Sequence, residues 1–176
     1  DEIILACGAQ PLVPRIPGID GENVYLANQV LSFHVRLSGQ KILVLGAGLV
    51  GAEAAEVLST YGNKVTVVDM LDKAAPLAPL RPRENLLSRL DKAGVGFYLN
   101  SRVCEIRPDG IRYEQNGETK EMTGFDSIVL AFGSRSDKAL ETEYEGDHRI
   151  HSVGDCLTAG DAKKGIYEAT KLAMVL

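Results

Sequence analysis

Two runs of consecutive apolar residues stand on either side of a helical pattern in the first half of the chain. The runs from Lys41 to Leu45 and from Lys64 to Asp69 consist mainly of Ile, Leu and Val, as is typical of parallel strands covered on both faces. Between them, apolar residues recur at helical spacing from Leu49 to Tyr61, and Gly62 follows as a stop signal. This order predicts a strand–helix–strand unit with parallel strands.

The pattern changes further along the chain. A second helix is predicted over residues 82–94 and a third strand over Val95 to Leu99. Short alternating segments then follow, separated by the turn signals Asp109-Gly110 and Asn116-Gly117, and these predict an antiparallel β-meander. A buried strand returns from Asp126 to Ala131, whereas residues 24–37 carry only a weak helical pattern.

Composition and net charge indicate which kind of binding partner to expect. The 176 residues are 45% hydrophobic and 24% charged, with a net charge of -5 and no dense Lys/Arg run, so neither nucleic acid nor an anionic membrane is the expected partner. No apolar run is long enough for a membrane span, and DEIILACG lacks the basic start of a secretion signal. We therefore expect a cytoplasmic protein that binds small molecules.

The turn between the first strand and its helix carries the main chemical signal. Its residues fit the pattern G-x-G-x-x-G, placed after a strand and at the start of a helix. The residues of this turn are Gly46, Ala47, Gly48, Leu49, Val50 and Gly51. The first glycine allows a tight turn, the second lets a pyrophosphate approach the backbone, and the third lets helix and strand pack closely. A purely structural glycine turn is the alternative; the context favours a dinucleotide site in a Rossmann-like α/β fold.

Asp69 ends the next strand, 23 residues after Gly46. A carboxylate at this place can accept hydrogen bonds from both hydroxyls of an adenine ribose, and it repels a 2′-phosphate. Met70, Leu71 and Asp72 provide no arginine to receive such a phosphate. The sequence therefore predicts NAD(H) rather than NADP(H).

With these residues, the chain resembles the FAD-dependent pyridine nucleotide-disulfide oxidoreductases, in which an NAD domain is inserted within a FAD domain. The stretch GAGLVGAE with Asp69 is similar to the nicotinamide-nucleotide fingerprint of that family. Residues 6–11 (ACGAQP), 131–133 (AFG) and 150–156 (IHSVGDC) resemble the strands through which the chain leaves and re-enters the FAD domain. The resemblance covers nearly the whole chain.

The resemblance implies domains, cofactors and further site residues. It implies a partial FAD-domain segment and linker at 1–23, an NAD(H)-binding domain at 24–125, and a return segment of the FAD domain at 126–176. Gly133, Gly154 and Asp155 are carried over as FAD-side contacts. Glu53 resembles the family glutamate near the nicotinamide, although an ordinary first-turn carboxylate favoured by the helix dipole explains it as well. In the full-length protein, hydride would pass from NADH to FAD.

Two features of the family are absent from this sequence. There is no second G-x-G-x-x-G and no C-x-x-x-x-C redox pair. The absent cysteine pair, together with GDC at 154–156 followed by a lysine-bearing helical pattern, resembles the C-terminal half of NADH:flavin oxidoreductases of the 2,4-dienoyl-CoA and enoate reductase type, which also carry an FMN barrel and an iron–sulfur cluster. Together with a last helical pattern that stops without a cap, these absences lead us to expect a piece of a longer chain, whose partners are the remainder of the FAD domain and an FMN/iron–sulfur domain.

No catalytic side chain and no metal ligand is predicted. The histidines, His34, His148 and His151, are not spaced as metal ligands with the cysteines. Cys7 and Cys156 fall in the implied FAD-domain segments, and we interpret both as packing residues rather than redox groups.

Two other functions fit a glycine turn followed by an acidic strand end. One is an S-adenosylmethionine-dependent methyltransferase domain, and the other is a non-enzymatic NADH-sensing module. Gly51, Glu53 and the two Ala-x-Gly segments favour a dinucleotide over S-adenosylmethionine, and the sequence contains no DNA-reading element through which a sensor would act.

Overall fold

The chain forms two structural units. The computed structural model describes residues 2–147 and 149–176. The first unit, called the sheet unit, spans Val13–Gly133; the second, called the flanking unit, combines the residues before Val13 with Ser134–Leu176.

The elements follow one another in short succession. The strands are β1 Ile3–Leu5, β2 Ala9–Pro11, β3 Val24–Leu26, β4 Lys41–Leu45, β5 Lys64–Val68, β6 Gly96–Tyr98, β7 Arg102–Arg107, β8 Gly110–Gln115, β9 Glu118–Thr123, β10 Ser127–Leu130, β11 Ser134–Ser136 and β12 Ile150–Ser152. The α-helices are α1 Ala27–Leu31, α2 Leu49–Thr60, α3 Leu80–Lys92, α4 Ala139–Glu143 and α5 Ala162–Ala173. A 3₁₀ turn covers Gly154–Cys156.

A five-stranded parallel sheet forms the centre of the sheet unit. Its strand order is β3-β10-β4-β5-β6, and every neighbouring pair is parallel. This confirms the predicted Rossmann-like α/β class. Because β4 is the middle strand, the glycine turn that follows it lies at the centre of the carboxyl edge of the sheet.

Both faces of the sheet are covered, which explains the continuous apolar runs. Along β4, Ile42 and Val44 pack into the core beneath the helices, whereas Leu43 and Leu45 pack into the core beneath the meander. All four side chains are fully buried. The sheet therefore lies between a helical layer and an antiparallel β-layer.

The predicted meander is present as β7, β8 and β9, paired in sequence order. Asn116 and Gly117 connect the last two strands with φ of 54° and 78°. Two consecutive positive φ angles are the signature of a tight hairpin turn, which confirms the turn predicted from Asn116-Gly117.

Residues 24–37 differ from the expected helical pattern, whereas residues 126–131 contain the expected strand. The weak helical pattern of the first segment contains an edge strand, β3, followed by a helix of only five residues. Val24, Tyr25 and Leu26 pair with β10, so tertiary pairing overrides the local pattern. β10 itself lies inside the central sheet, between β3 and β4. The boundary drawn at 125/126 therefore cuts through the sheet unit, which extends to Gly133.

The flanking unit contains two small strand pairs and two helices. β1 and β12 are parallel neighbours, and β2 and β11 are antiparallel neighbours. α5 begins after Asp161, whose Oδ1 accepts the Lys164 N–H at 2.8 Å. In the described parts of both units, no helix combines the length and apolarity that a membrane crossing requires.

Candidate functional site

The glycine turn is shaped by contacts within the sheet unit. Gly46 has a φ of 114°, and its N–H donates to the Val68 carbonyl at 2.8 Å. A Cβ atom on Gly46 would collide with the carbonyl of Ala131, and one on Gly51 would collide with the carbonyl of Gly46. The first and third glycines are therefore required by the protein itself.

Gly48 is different because no protein atom requires it to be glycine. Its φ is -64°, which any residue adopts, and a Cβ atom placed there would have nothing within 4 Å. The neighbouring glycines are explained by close packing, whereas this one borders open space. The open space next to Gly48 is where a ligand can approach the backbone.

The helix that follows the turn begins with unpaired amides. α2 starts at Leu49, and its first intrahelical bond is from Ala52 to the Gly48 carbonyl at 3.0 Å. Within the described residues, the N–H groups of Leu49, Val50 and Gly51 have no backbone acceptor. Free N–H groups and the positive end of the helix dipole make this a place where an anion is stabilised.

Asp69 lies beside the turn, as expected, and both of its oxygens are used. Oδ2 accepts the N–H of Ala47, and Oδ1 accepts the N–H of Leu71 at 2.8 Å. The residue is half-buried. An ionised carboxylate has about four acceptor positions, so two remain for further donors. Asp69 thus fixes the turn and still presents acceptors.

These residues surround a cavity of about 560 Å³ in the sheet unit. Six of the predicted residues line it: Gly46, Gly48, Leu49, Val50, Asp69 and Gly133. Ala47 and Gly51 are buried behind them. The structure therefore brings most of the predicted nucleotide residues to one cavity.

The other lining residues were not among the predicted site residues. They are Pro14, Ile16, Met70, Leu71, Ser101, Arg102, Val103, Ala131 and Phe132. The Ala-x-Gly segment pointed to Ala131 and Phe132, but nothing in the sequence pointed to residues 101–103. They reach the cavity because the Ser101 N–H donates to the Asp69 carbonyl at 2.8 Å, which places the start of β7 beside the end of β5.

Arg102 is the cationic residue among those that line the cavity. Its Nε and Nη2 both donate to Oε2 of Glu114 on the adjacent strand, at 3.2 and 3.0 Å. This pair compensates the charge of the guanidinium. The cavity therefore offers Asp69 and a neutralised arginine, which suits ribose hydroxyls better than an additional phosphate.

Glu53 does not line this cavity. It is the fifth residue of α2 and is exposed to solvent. It therefore lies beyond the first turn, where the interaction with the helix dipole has already weakened, so the first-turn explanation of this residue is wrong.

Gly154 and Asp155 belong to the flanking unit. The Gly154 N–H donates to Oε2 of Glu168 at 2.9 Å, so this amide is already occupied. Oδ1 of Asp155 accepts the Gly160 N–H at 2.9 Å, and the side chain is exposed. Of the two, only Asp155 presents a side chain to solvent that is able to accept a hydrogen bond from a bound hydroxyl.

The described histidines have local partners. His34 Nδ1 lies 2.6 Å from Ser32 Oγ, and His151 Nε2 lies 2.9 Å from Glu2 Oε2. His148 lies outside the described residues. Among the residues that the structure does describe, no group of His, Cys, Asp and Glu could hold a metal ion.

Comparison with known proteins identifies the family. The family model for pyridine nucleotide-disulphide oxidoreductases matches residues 1–171. Bilirubin reductase of Mediterraneibacter gnavus is 33% identical over all of this chain and 28% of its own length. NADH oxidase of Thermoanaerobacter brockii is 31% identical over 91% of this chain and 27% of its own length.

Solved structures agree in fold. The structure of 2-naphthoyl-CoA reductase with 2-naphthoyl-CoA has a TM-score of 0.84 and 26% identity, and it covers 96% of this chain and 26% of the reductase. This chain spans between a quarter and a third of the first relatives that it matches. The family consists of NAD(H)- and FAD-dependent oxidoreductases, and this chain belongs to the pyridine nucleotide-disulphide oxidoreductase family.

Proposed function

We propose that this chain is the NADH-binding part of a flavoprotein oxidoreductase that transfers hydride from NADH to FAD. The observation that carries the proposal is the combination at the α2 N-terminus: an open position at Gly48 beside three amides without backbone acceptors. A pyrophosphate placed there would accept hydrogen bonds from the amides, and a side chain at position 48 would obstruct it.

Asp69 and apolar side chains beside the turn would orient a bound dinucleotide. Asp69 would accept the hydroxyls of the adenine ribose. Leu49, Val50 and Met70 are exposed apolar side chains beside the turn and would cover flat rings that need to be removed from water. Glu53 lies outside the cavity lining, one turn further along α2, and is our candidate, carried over from the family pattern, for a contact with the nicotinamide amide.

The flavin site is proposed on fewer residues. Gly133, Gly154 and Asp155 are carried over from the family pattern, and Asp155 is the one that would accept a hydrogen bond from the flavin ribityl chain or its surroundings. When bound, FAD would supply the hydride acceptor, and the chain would orient the two cofactors. No side chain of this sequence is assigned as a nucleophile or a metal ligand.

We propose that the relatives' larger size reflects parts that the reaction requires. The sequence contains a single G-x-G-x-x-G, which we assign to NADH. The 176-residue chain is therefore expected to bind NADH without sustained turnover. Copurified FAD together with continuous NADH oxidation would contradict this expectation.

Isothermal titration calorimetry of the chain with NADH tests the proposed binding function. We expect saturable binding at one site per chain, and weaker binding of NADPH. Titration with S-adenosylmethionine is the comparison, since the glycine turn alone is compatible with that ligand. Binding of S-adenosylmethionine with no binding of NADH would replace this proposal with methyl transfer, although the family assignment favours hydride chemistry.

A further inference from the structure

The loop that connects β5 to α3 is hydrogen-bonded to the glycine turn. Within this loop, the Ala75 N–H donates to the Ala47 carbonyl at 2.6 Å. Ala75 is fully buried, and its own carbonyl accepts the Ala78 N–H at 3.1 Å. The loop is therefore attached to the turn at the residue that directly precedes Gly48.

The backbone of Ala75 is in the left-handed region, with a φ of 45°. A residue with a Cβ atom adopts this conformation only at an energetic cost, so it persists where the surrounding contacts hold it. Here the contacts are the two hydrogen bonds of the Ala75 backbone, to Ala47 and from Ala78. The conformation of Ala75 is thus set by its partners rather than by its own preference.

Arg83 holds the other side of the same peptide group. It is the fourth residue of α3, it is half-buried, and its Nε donates to the Ala74 carbonyl at 2.8 Å. The Ala74 carbonyl and the Ala75 N–H belong to one planar trans peptide, in which the two groups point in opposite directions. By holding the carbonyl, Arg83 directs the N–H of this peptide toward Ala47.

The same geometry applies to the next peptide group. The Ala47 carbonyl faces Ala75, so the Gly48 N–H of that peptide points away from the loop. Within the described residues, the Gly48 N–H has no backbone acceptor. Gly48 lines the cavity of about 560 Å³ and borders open space. This amide is therefore available to a ligand in the cavity.

We propose that Arg83 is a positioning residue for NADH, which acts through two linked peptide groups. These groups, Ala74–Ala75 and Ala47–Gly48, are called the peptide relay. The relay holds the Gly48 N–H in the orientation in which a pyrophosphate accepts it. Arg83 itself does not line the NADH cavity, so its effect is indirect. The inference rests on the proposed function and adds to it a residue outside the glycine pattern.

A choice of two substitutions separates the hydrogen bond of Arg83 from its charge. Arg83 lines another cavity, of about 310 Å³, together with Asp72, Lys73 and Asp91, so its charge also belongs to a local set of charges. In Arg83→Gln, Nε2 is separated from the backbone by as many bonds as Nε of arginine, so it can donate to Ala74 without a charge. Arg83→Met has neither a donor nor a charge.

Calorimetry with NADH on the folded variants measures the effect on binding. We expect Arg83→Met to bind NADH about three- to tenfold more weakly than the native chain, which is the scale of one hydrogen bond. Arg83→Gln should stay within about twofold of the native affinity. Arg81→Met removes an exposed cation from the same helix and is the matched control, with native affinity expected. Circular dichroism verifies that each variant folds.

Nuclear magnetic resonance of the nucleotide-free chain reports the relay directly. In ¹⁵N-labelled Arg83→Met, the amide resonance of Gly48 should shift and the Ala75 amide should exchange faster with solvent deuterium. In Arg83→Gln and Arg81→Met, both amides should behave as in the native chain. A substitution that only lowers global stability would not move the Gly48 resonance of the folded protein.

The outcomes distinguish the relay from the proposed function. The relay is overturned if folded Arg83→Met binds NADH as tightly as the native chain, or if Arg83→Gln loses as much affinity as Arg83→Met. Unchanged Gly48 and Ala75 amides in Arg83→Met would also overturn it. Failure of the native chain to bind NADH would refute the proposed function, and the amide measurements would then still decide whether Arg83 positions Gly48.

Discussion

The three glycines of the turn have different physical roles, although the sequence pattern treats them alike. Gly51 faces the carbonyl of Gly46, and its Cβ would also lie 3.2 Å from the Cβ of Ala131. Gly48 faces open space. Gly51 is constrained by packing, whereas Gly48 is constrained only by the ligand that the cavity binds.

Serine substitutions separate these roles by their effects on stability. We expect Gly51→Ser to lower the free energy of unfolding by about 1–3 kcal/mol, because an added side chain overpacks the contact between helix and turn. Gly48→Ser should change it by less than about 0.5 kcal/mol, since serine is a favourable residue at a helix N-cap. Urea denaturation of both variants measures the difference; equal losses would show that Gly48 is also packed.

Asp69 combines a structural and a binding role, so its substitution should affect two measurements. In Asp69→Asn, an NH₂ group replaces one carboxylate oxygen. This group cannot accept a hydrogen bond from the N–H of Ala47 or Leu71 that it faces. We expect a loss of about 1–3 kcal/mol in unfolding free energy. We also expect weaker NADH binding and a smaller preference for NADH over NADPH, measured by calorimetry. Unchanged NADH affinity in a folded Asn variant would contradict the ribose assignment.

At the scale of elements, α2 and α3 are joined by an ion pair between Glu56 and Arg89, with Nη2 of Arg89 at 3.1 Å from Oε2 of Glu56. The hydrogen bond from Arg89 lowers the pKa of Glu56 below its ordinary value of 4.5. A carboxylate with a lowered pKa stabilises the folded state above the unfolded pKa, and this stabilisation is lost as the pH falls through the folded pKa.

The pH dependence of melting tests this pair. Glu56→Gln should lower the melting temperature relative to the native chain at pH 7, and the difference should shrink toward pH 3. Glu84→Gln, at an exposed position of α3, is the control and should have little effect at either pH. A Glu56→Gln difference that is as large at pH 3 as at pH 7 would show that the pair does not act through its charge.

The cross-strand pair of Arg102 and Glu114 is expected to influence the choice of nucleotide. Glu114→Gln leaves Arg102 in the cavity without its compensating charge. We expect NADPH to bind about two- to fivefold more tightly, which is the scale of an exposed ion pair, with a smaller change for NADH. Glu118→Gln removes the same charge from an exposed part of β9 and should leave the ratio unchanged. Equal ratios in the two variants would mean that Arg102 does not reach the nucleotide.

At the scale of the whole molecule, the elements with strong local signals were predictable. The apolar runs that became β4 and β5 are buried on both faces, and the helical pattern from Leu49 became α2. The Asn116-Gly117 turn was also predictable, because two positive φ angles strongly restrict the residue types.

The features that depend on distant pairing were not predictable. β3 has only three residues and exists through its bonds to β10, which is about a hundred positions later in the chain. Residues 101–103 reach the cavity through a backbone bond from Ser101 to Asp69. Neither partner carries a local sequence signal, since backbone groups are present at every position. For the candidate site, the glycine turn and Asp69 were therefore found from the sequence, whereas Arg102 was not.

The most direct test of the account is NADH calorimetry on Gly48→Val, with circular dichroism to verify folding. The Cβ of a valine at this position would have no protein atom within 4 Å, and its side chain would occupy the space through which a pyrophosphate would approach the α2 amides. We predict a folded variant whose NADH affinity is at least about tenfold lower, equivalent to about 1.4 kcal/mol of binding free energy. A folded Gly48→Val protein that binds NADH as tightly as the native chain would contradict the assignment of this turn to the dinucleotide.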